Sequence, residues 1–158
     1  SAQVLCAPVL PGVAMPLRPA APRPDLSSES NVRDAVRRAR TLGYSPGPCG
    51  AHFKRWVERW GIADAVASRM IQASPGIPVA TLVARGEVEL GVQQLSELLG
   101  EEGIELLGPL PAEVQSLTLF SAAICTASTR REAAKAMLSF FASREAGAVK
   151  RRHGMEPP

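Results

Sequence analysis

Aromatic side chains make up only 4% of the 158 residues, as two Trp, one Tyr and four Phe. Any core must therefore be built from Ala, Val, Leu and Ile. Histidine occurs twice, at His52 and His153, far apart in the chain. No H-E-x-x-H and no G-x-S-x-G is present, which removes the commonest metallopeptidase and serine-hydrolase patterns. The three cysteines, Cys6, Cys49 and Cys125, are odd in number and widely spaced. They make no disulfide framework, and without a C-x-x-C there is no zinc pattern. One disulfide stays open, and spacing does not choose its partners. No stretch approaches the ~18 consecutive apolar residues of a bilayer-crossing helix. The net charge of +3 is too small to call for nucleic acid. No catalytic constellation, no metal and no cofactor are expected.

What is present is the composition of a soluble globular chain, 46% hydrophobic and 21% charged. The length fits one domain, or one lobe of something larger. Fourteen Pro and thirteen Gly indicate many short connections. Charge is zoned. Residues 1–69 are basic, residues 70–128 carry Arg85 alone against seven acids, and residues 129–158 are basic again. Solvated helix faces account for such zoning. No internal repeat of 20–50 residues is visible. The first residues show no signal peptide, and the chain begins at Ser1.

Helix and strand patterns alternate. Residues 7–25 hold six prolines, which fix φ and cannot donate to a ladder, so an extended connector is expected, with a short strand at 12–15. A helix follows. Ser27, Ser28 or Ser30 can cap it, and Val32, Ala35, Val36 and Ala39 share one face. Residues 41–45 read as a strand. The next helix carries an apolar stripe of Phe53, Trp56, Val57 and Trp60 and ends at Gly61. Strands are expected at 70–73, 88–92 and 105–107, with a helix after Pro78 and a helical turn at 93–99. Residues 116–125 read as a long strand buried on both faces. Thr129 and Glu132 form a capping box ahead of a helix whose face carries Ala133, Ala136, Met137, Phe140 and Phe141. A last helix runs from about Ser143 to His153-Gly154. This alternation predicts an α/β fold with a mostly parallel sheet flanked by helices. Its expected parts are a Pro-rich connector or hinge strand at 1–25, an α/β ligand-binding lobe at 26–128 and C-terminal helices at 129–158.

The segment Ser45-Pro46-Gly47-Pro48-Cys49-Gly50-Ala51-His52 leads from a strand into a helix N-terminus. Unpaired backbone N–H groups and the helix dipole favour an anion there. A glycine permits close backbone approach. An ordinary strand-to-helix turn would read the same way. Gln93 and Gln94 stand at the end of a strand, where ligands of α/β sheets bind, and their amides can read a polar ligand without adding charge. Cys49 and His52 sit on one tight turn with no third group to orient them, which argues against a nucleophile.

Several stretches carry a family resemblance. They are Ala20 to Asp25, Tyr44 to Phe53 with Gly61-Ile62-Ala63-Asp64 behind it, Leu82 to Leu99, Gly108 to Glu113, and the tail Arg152 to Pro157. Together they resemble the bacterial extracellular solute-binding proteins related to the periplasmic molybdate-binding proteins. The resemblance runs from about residue 12 onward. It implies a two-lobed type II periplasmic-binding fold, with a small oxyanion or carboxylate held between lobes largely by helix N-termini. By resemblance, Ser45, Gly50, Ala51 and His52 occupy the binding loop of one lobe, and Gln93 and Gln94 a strand-end position. It also implies a periplasmic or extracellular place and an ABC-type membrane component as partner. A full member would carry another lobe before Ser1. Some relatives look like isomerases of small tricarboxylates, so an enzyme remains an alternative, as does a self-associating fragment. With that lobe missing, the helix face at 133–141 would be left uncovered, and a homodimer is expected.

Overall fold

A computed structural model describes residues 4–11 and 13–156, and side chains from Ala14 to Gly108 and from Leu110 to Met155. The chain divides into two compact units, Gly12–Ser116 and a second made of Ser1–Pro11 with Leu117–Pro158. This division differs from the boundaries expected at residues 25 and 128. Backbone pairing explains it: residues 4–11 pair with 120–123 and 155–156, whereas residues 13–17 pair with 90–94 and 105–109.

The larger unit holds a five-stranded sheet in the order β4-β3-β5-β2-β6. Its strands are β2 (Val13–Leu17), β3 (Leu42–Tyr44), β4 (Met70–Gln72), β5 (Leu90–Gln94) and β6 (Glu105–Pro109). β3 runs parallel to β4 and β5, whereas β2 runs antiparallel to β5 and β6. Four strands thus point one way and β2 runs against them. β2 is an interior strand despite Pro16. The pairing with β6 is irregular between Ala14 and Pro16, which accommodates a residue that cannot donate.

Helix α1 (Glu29–Arg38) starts at Ser28, whose Oγ accepts the Asn31 N–H at 3.3 Å. Helix α2 (Pro48–Arg59) starts at Gly47 with proline in its first turn. Val32, Val36, Phe53, Trp56 and Val57 of these helices pack with Met15, Leu42, Tyr44, Leu90 and Val92 of the strands in one core. Glu29 ties the two helices together. It accepts the Trp60 indole N–H at 2.7 Å and pairs with Arg59. Helix α3 (Ala63–Val66) follows as a single turn.

Helix α4 (Val79–Ala84) packs on the other side through Val79, Leu82 and Val83, with Ala73 and Val88. Gly43 and Gly91 are paired across β3 and β5 and make its seat. A Cβ at Gly91 would come within 2.7 Å of Val79 Cγ1, and one at Gly43 within 3.1 Å of the same atom. β5 differs from the strand expected at 88–92. It lies two residues later and is buried along its whole length, because helices cover both sheet faces.

The smaller unit pairs β1 (Val4–Pro11) antiparallel with β7 (Phe120–Ala123) and β8 (Met155–Glu156). The long buried strand expected at 116–125 is corrected here. β7 spans four residues, all exposed, and has β1 as its one neighbour. Helix α5 (Arg131–Phe141) begins after Arg130 and has no side-chain cap. The expected capping box does not form, since Thr129 lies one residue too early. Met137, Phe140 and Phe141 are exposed, and Leu138 is the buried residue of α5. Helix α6 (Arg144–Arg152) is capped by Ser143, whose Oγ accepts the Ala146 N–H at 3.2 Å. Among the described residues, no helix is long and apolar enough to cross a membrane.

Candidate functional site

A cavity of about 340 Å³ opens within the larger unit, at the carboxyl ends of the parallel strands. Three strand ends and two helix starts surround it. Ser45, Pro46 and Gly47 follow β3, Ser74 follows β4, and Gln93 and Gln94 end β5. Pro48 and Cys49 open α2, and Gly76, Ile77 and Pro78 lead into α4. Glu97, from the 3-10 turn after β5, completes the lining. Ligands of open α/β sheets bind at this end of the strands. A second hollow of about 440 Å³ lies at the other end, by Leu17 and Leu90 under α1. Several of its charges pair with residues beside it, as in Arg23–Glu105 at 3.0 Å and Arg40–Glu89 at 3.5 Å.

The entry into α2 depends on one missing side chain. A Cβ on Gly50 would sit 1.8 Å from the Ser45 carbonyl oxygen and 2.9 Å from the Tyr44 ring. The first turn of α2 therefore lies directly against the end of β3. Pro48 has no N–H to offer, and the Ala51 N–H is already bonded to the Gly47 carbonyl at 3.1 Å. Cys49 and Gly50 supply the N–H groups that lack a carbonyl one turn back. The helix begins at Pro48, ahead of the Gly50–His52 positions that the resemblance assigns to the binding loop, and proline favours that first helical position.

Ser45, Gln93 and Gln94 line the cavity together. Gly50 lies behind it, while Ala51 and His52 fall outside the lining. His52 instead meets Trp56 edge-on, with ring centroids 4.8 Å apart, and its Nδ1 lies 3.1 Å from the Arg55 guanidinium. Burial and the Arg55 charge hold its pKa below the ordinary value, with the Val114 backbone pulling the other way.

The two amides differ in what they do. Gln93 is 5% exposed, and its Oε1 accepts the Val79 N–H at 2.8 Å and the Ala80 N–H at 3.4 Å. It caps α4 from the neighbouring strand. Its Nε2 donates to Glu97 Oε2 at 2.8 Å. Gln94 is 6% exposed and also has a partner.

Cys49 is buried, and burial followed by the Glu97 charge pushes its thiol up to about 12. It stays a neutral thiol near pH 7, despite the helix start that would favour thiolate. Cys125 is an exposed free thiol, and the side chain of Cys6 lies outside those described. The disulfide left open by the cysteine count does not involve Cys49 or Cys125. No cluster of three or more metal-ligating side chains occurs among the described residues.

Ser74 and Glu97 line the cavity without belonging to any motif of the sequence. Ser74 follows a predicted strand, as Ser45 does, and Glu97 stands four residues after Gln93. Both positions carried a signal once the strand ends were assigned.

This architecture is that of a type II periplasmic binding protein. The Azotobacter vinelandii periplasmic molybdate-binding protein superposes with a TM-score of 0.72 at 17% identity, over 98% of this chain and 68% of that one. An R. palustris protein solved with adipate superposes at 0.64 and 15% identity, over 99% of this chain and 60% of that one. At such identities the likeness is one of fold. The family follows from sequence: residues 10–156 match the bacterial extracellular solute-binding proteins, and the chain belongs to that family. An aconitate isomerase of Pseudomonas sp is 34% identical over 145 residues, 92% of this chain. The chain spans 55% of that relative's length.

Proposed function

We propose that the Gly12–Ser116 unit holds a small oxyanion or carboxylate for a periplasmic transport system, in its cavity at the ends of β3 and β5. One observation carries this reading: the first turn of α2 meets a cavity lined by serines and amides at the carboxyl ends of parallel strands. The Cys49 N–H on the cavity wall suits an acid oxygen, and the Ser45 hydroxyl and Gln94 amide suit its neighbours. Gln93 orients Glu97 and fixes α4. Ala51 and His52 act by completing the first turns of α2. An ABC-type membrane component would take the ligand onward. Thermal shift and calorimetry with molybdate, sulfate, adipate and a tricarboxylate test the reading. At least one should raise the melting temperature, and no response to any of them would overturn it.

A second reading is favoured by the 34% identity to aconitate isomerase. In it, the same cavity moves a proton on a tricarboxylic acid. Absorbance tracks the cis–trans interconversion of aconitate directly. Turnover by the purified chain would establish the enzyme, and a bound but unchanged substrate would leave the binding protein.

A third element of the proposal concerns assembly. Met137, Phe140 and Phe141 are each 44% exposed or more. An apolar helix face of this kind supports self-association, and a homodimer follows.

A further inference from the structure

We propose that Glu97 makes this cavity selective for acids that carry a hydrogen-bond donor beside their acid group, and that it disfavours fully ionised tetrahedral oxyanions. The inference rests on the reading that the cavity binds a small acid.

Among the described residues, the cavity lining contains no Lys and no Arg, and Glu97 is its one charged residue. The positive contribution left to a ligand is the start of α2, since Gln93 Oε1 already takes the first N–H groups of α4. A helix N-terminus is worth about half a unit charge. Pro48 removes one of its N–H groups, and the Gly47 carbonyl occupies that of Ala51. A dianion such as sulfate or molybdate would therefore meet a full negative charge with about half a positive one opposite. The lining is more tolerant of a ligand that turns an O–H or N–H toward Glu97.

Glu97 is fixed by a relay of hydrogen bonds. The Val79 N–H holds Gln93 Oε1 at 2.8 Å, and Gln93 Nε2 holds Glu97 Oε2 at 2.8 Å. Glu97 Oε1 makes no hydrogen bond among the described residues and is left as an acceptor. The same charge raises the Cys49 thiol on the cavity wall, so its field reaches the site.

Glu97→Gln reverses the polarity of this corner. Gln93 Nε2 needs an acceptor, so the new amide turns its oxygen there and its NH2 outward. An acceptor for the ligand becomes a donor. Glu97→Ala removes the charge without adding a donor. Glu97 is exposed, so both variants should keep the fold.

The experiment is calorimetry at about pH 7.5 with the 158-residue chain and both variants. The probes are malate, succinate, sulfate and molybdate. Malate differs from succinate by one hydroxyl. The unaltered chain should prefer malate to succinate by about tenfold and bind sulfate and molybdate more weakly than malate. Glu97→Gln should erase the malate preference and strengthen the tetrahedral ions by about tenfold, with Glu97→Ala in between. Equal affinity for malate and succinate, or preferred molybdate binding by the unaltered chain, would overturn the inference and leave the binding reading standing. Silence toward all four probes would overturn it as well. A response to adipate or a tricarboxylate in the wider panel would then keep the binding reading alive.

Discussion

Gln93 and Val79 are joined across the structure, side chain to backbone: the carboxamide oxygen of the strand residue accepts the first N–H of α4 at 2.8 Å. α4 begins after Pro78 and has no capping side chain of its own. Both residues are buried, so no water replaces the bond if it is lost. Gln93→Ala should therefore cost about 1–3 kcal/mol of stability, the range for a buried donor left unsatisfied. Urea unfolding measures it. Gln93→Glu keeps the acceptor but sets a second carboxylate against Glu97. Its loss should be larger at neutral pH and relieved on acidification.

Gly50→Ala tests the contact between α2 and β3. Its methyl would have to occupy a point 1.8 Å from the Ser45 carbonyl oxygen. The neighbour is backbone, so relief requires moving the helix. We expect a loss above ~4 kcal/mol or no folded protein at all, seen by circular dichroism. Gly47→Ala is the control, since a Cβ there meets only Ser45 Oγ at 4.0 Å.

His52 gives the stability a pH dependence near neutrality. Its pKa in the fold is lowered from the ordinary 6.5, first by burial and then by Arg55. The unfolded chain then binds more protons than the folded one below that value. This part of the stability is present above about pH 6.5 and is lost as the pH falls through the folded value. His52→Gln should flatten the decline in melting temperature between about pH 7 and about pH 5. A steeper decline in the variant would contradict the assignment.

The cysteines should separate by reactivity. Cys125 is exposed, whereas Cys49 is buried with its thiol pushed up to about 12. Peptide mapping after brief alkylation near pH 7.5 should find Cys125 modified well ahead of Cys49. Cys49→Ser should leave ligand binding and any turnover nearly unchanged. Loss of turnover with the fold intact would show that the thiol takes part in chemistry.

Self-association should depend on the exposed face of α5. Light scattering at micromolar concentration is expected to give a dimer mass. Replacing both Phe140 and Phe141 by Glu should return the monomer, since about half of each ring is exposed. A monomer mass for the unaltered chain would remove the homodimer from the proposed function.

Some features of this protein follow from sequence alone because their causes are local. A serine caps α1, Ser28 of the three that the sequence offers; Gly61 ends α2 with a positive φ of 65°, and Val32, Val36, Phe53 and Trp56 are buried at helical spacing. Periodicity and chain stereochemistry act over a few residues, so a sequence displays them directly. The same locality places Ser45 after one strand and Gln93 and Gln94 at the end of another, and the tertiary structure sets the two strand ends around one cavity. Other features depend on which segment lies alongside. The apolar run at 116–125 reads as a buried strand, yet β7 is exposed because β1 is its one sheet neighbour. Pro16 argues for a connector, but a pairing irregularity lets β2 carry it inside the sheet. Gln93 reads from sequence as an amide for a ligand, yet α4 brings its unsatisfied N–H groups to it. Hydrogen-bond partners, burial and the charge seen by a thiol are set by residues distant in sequence, and only tertiary packing brings them together.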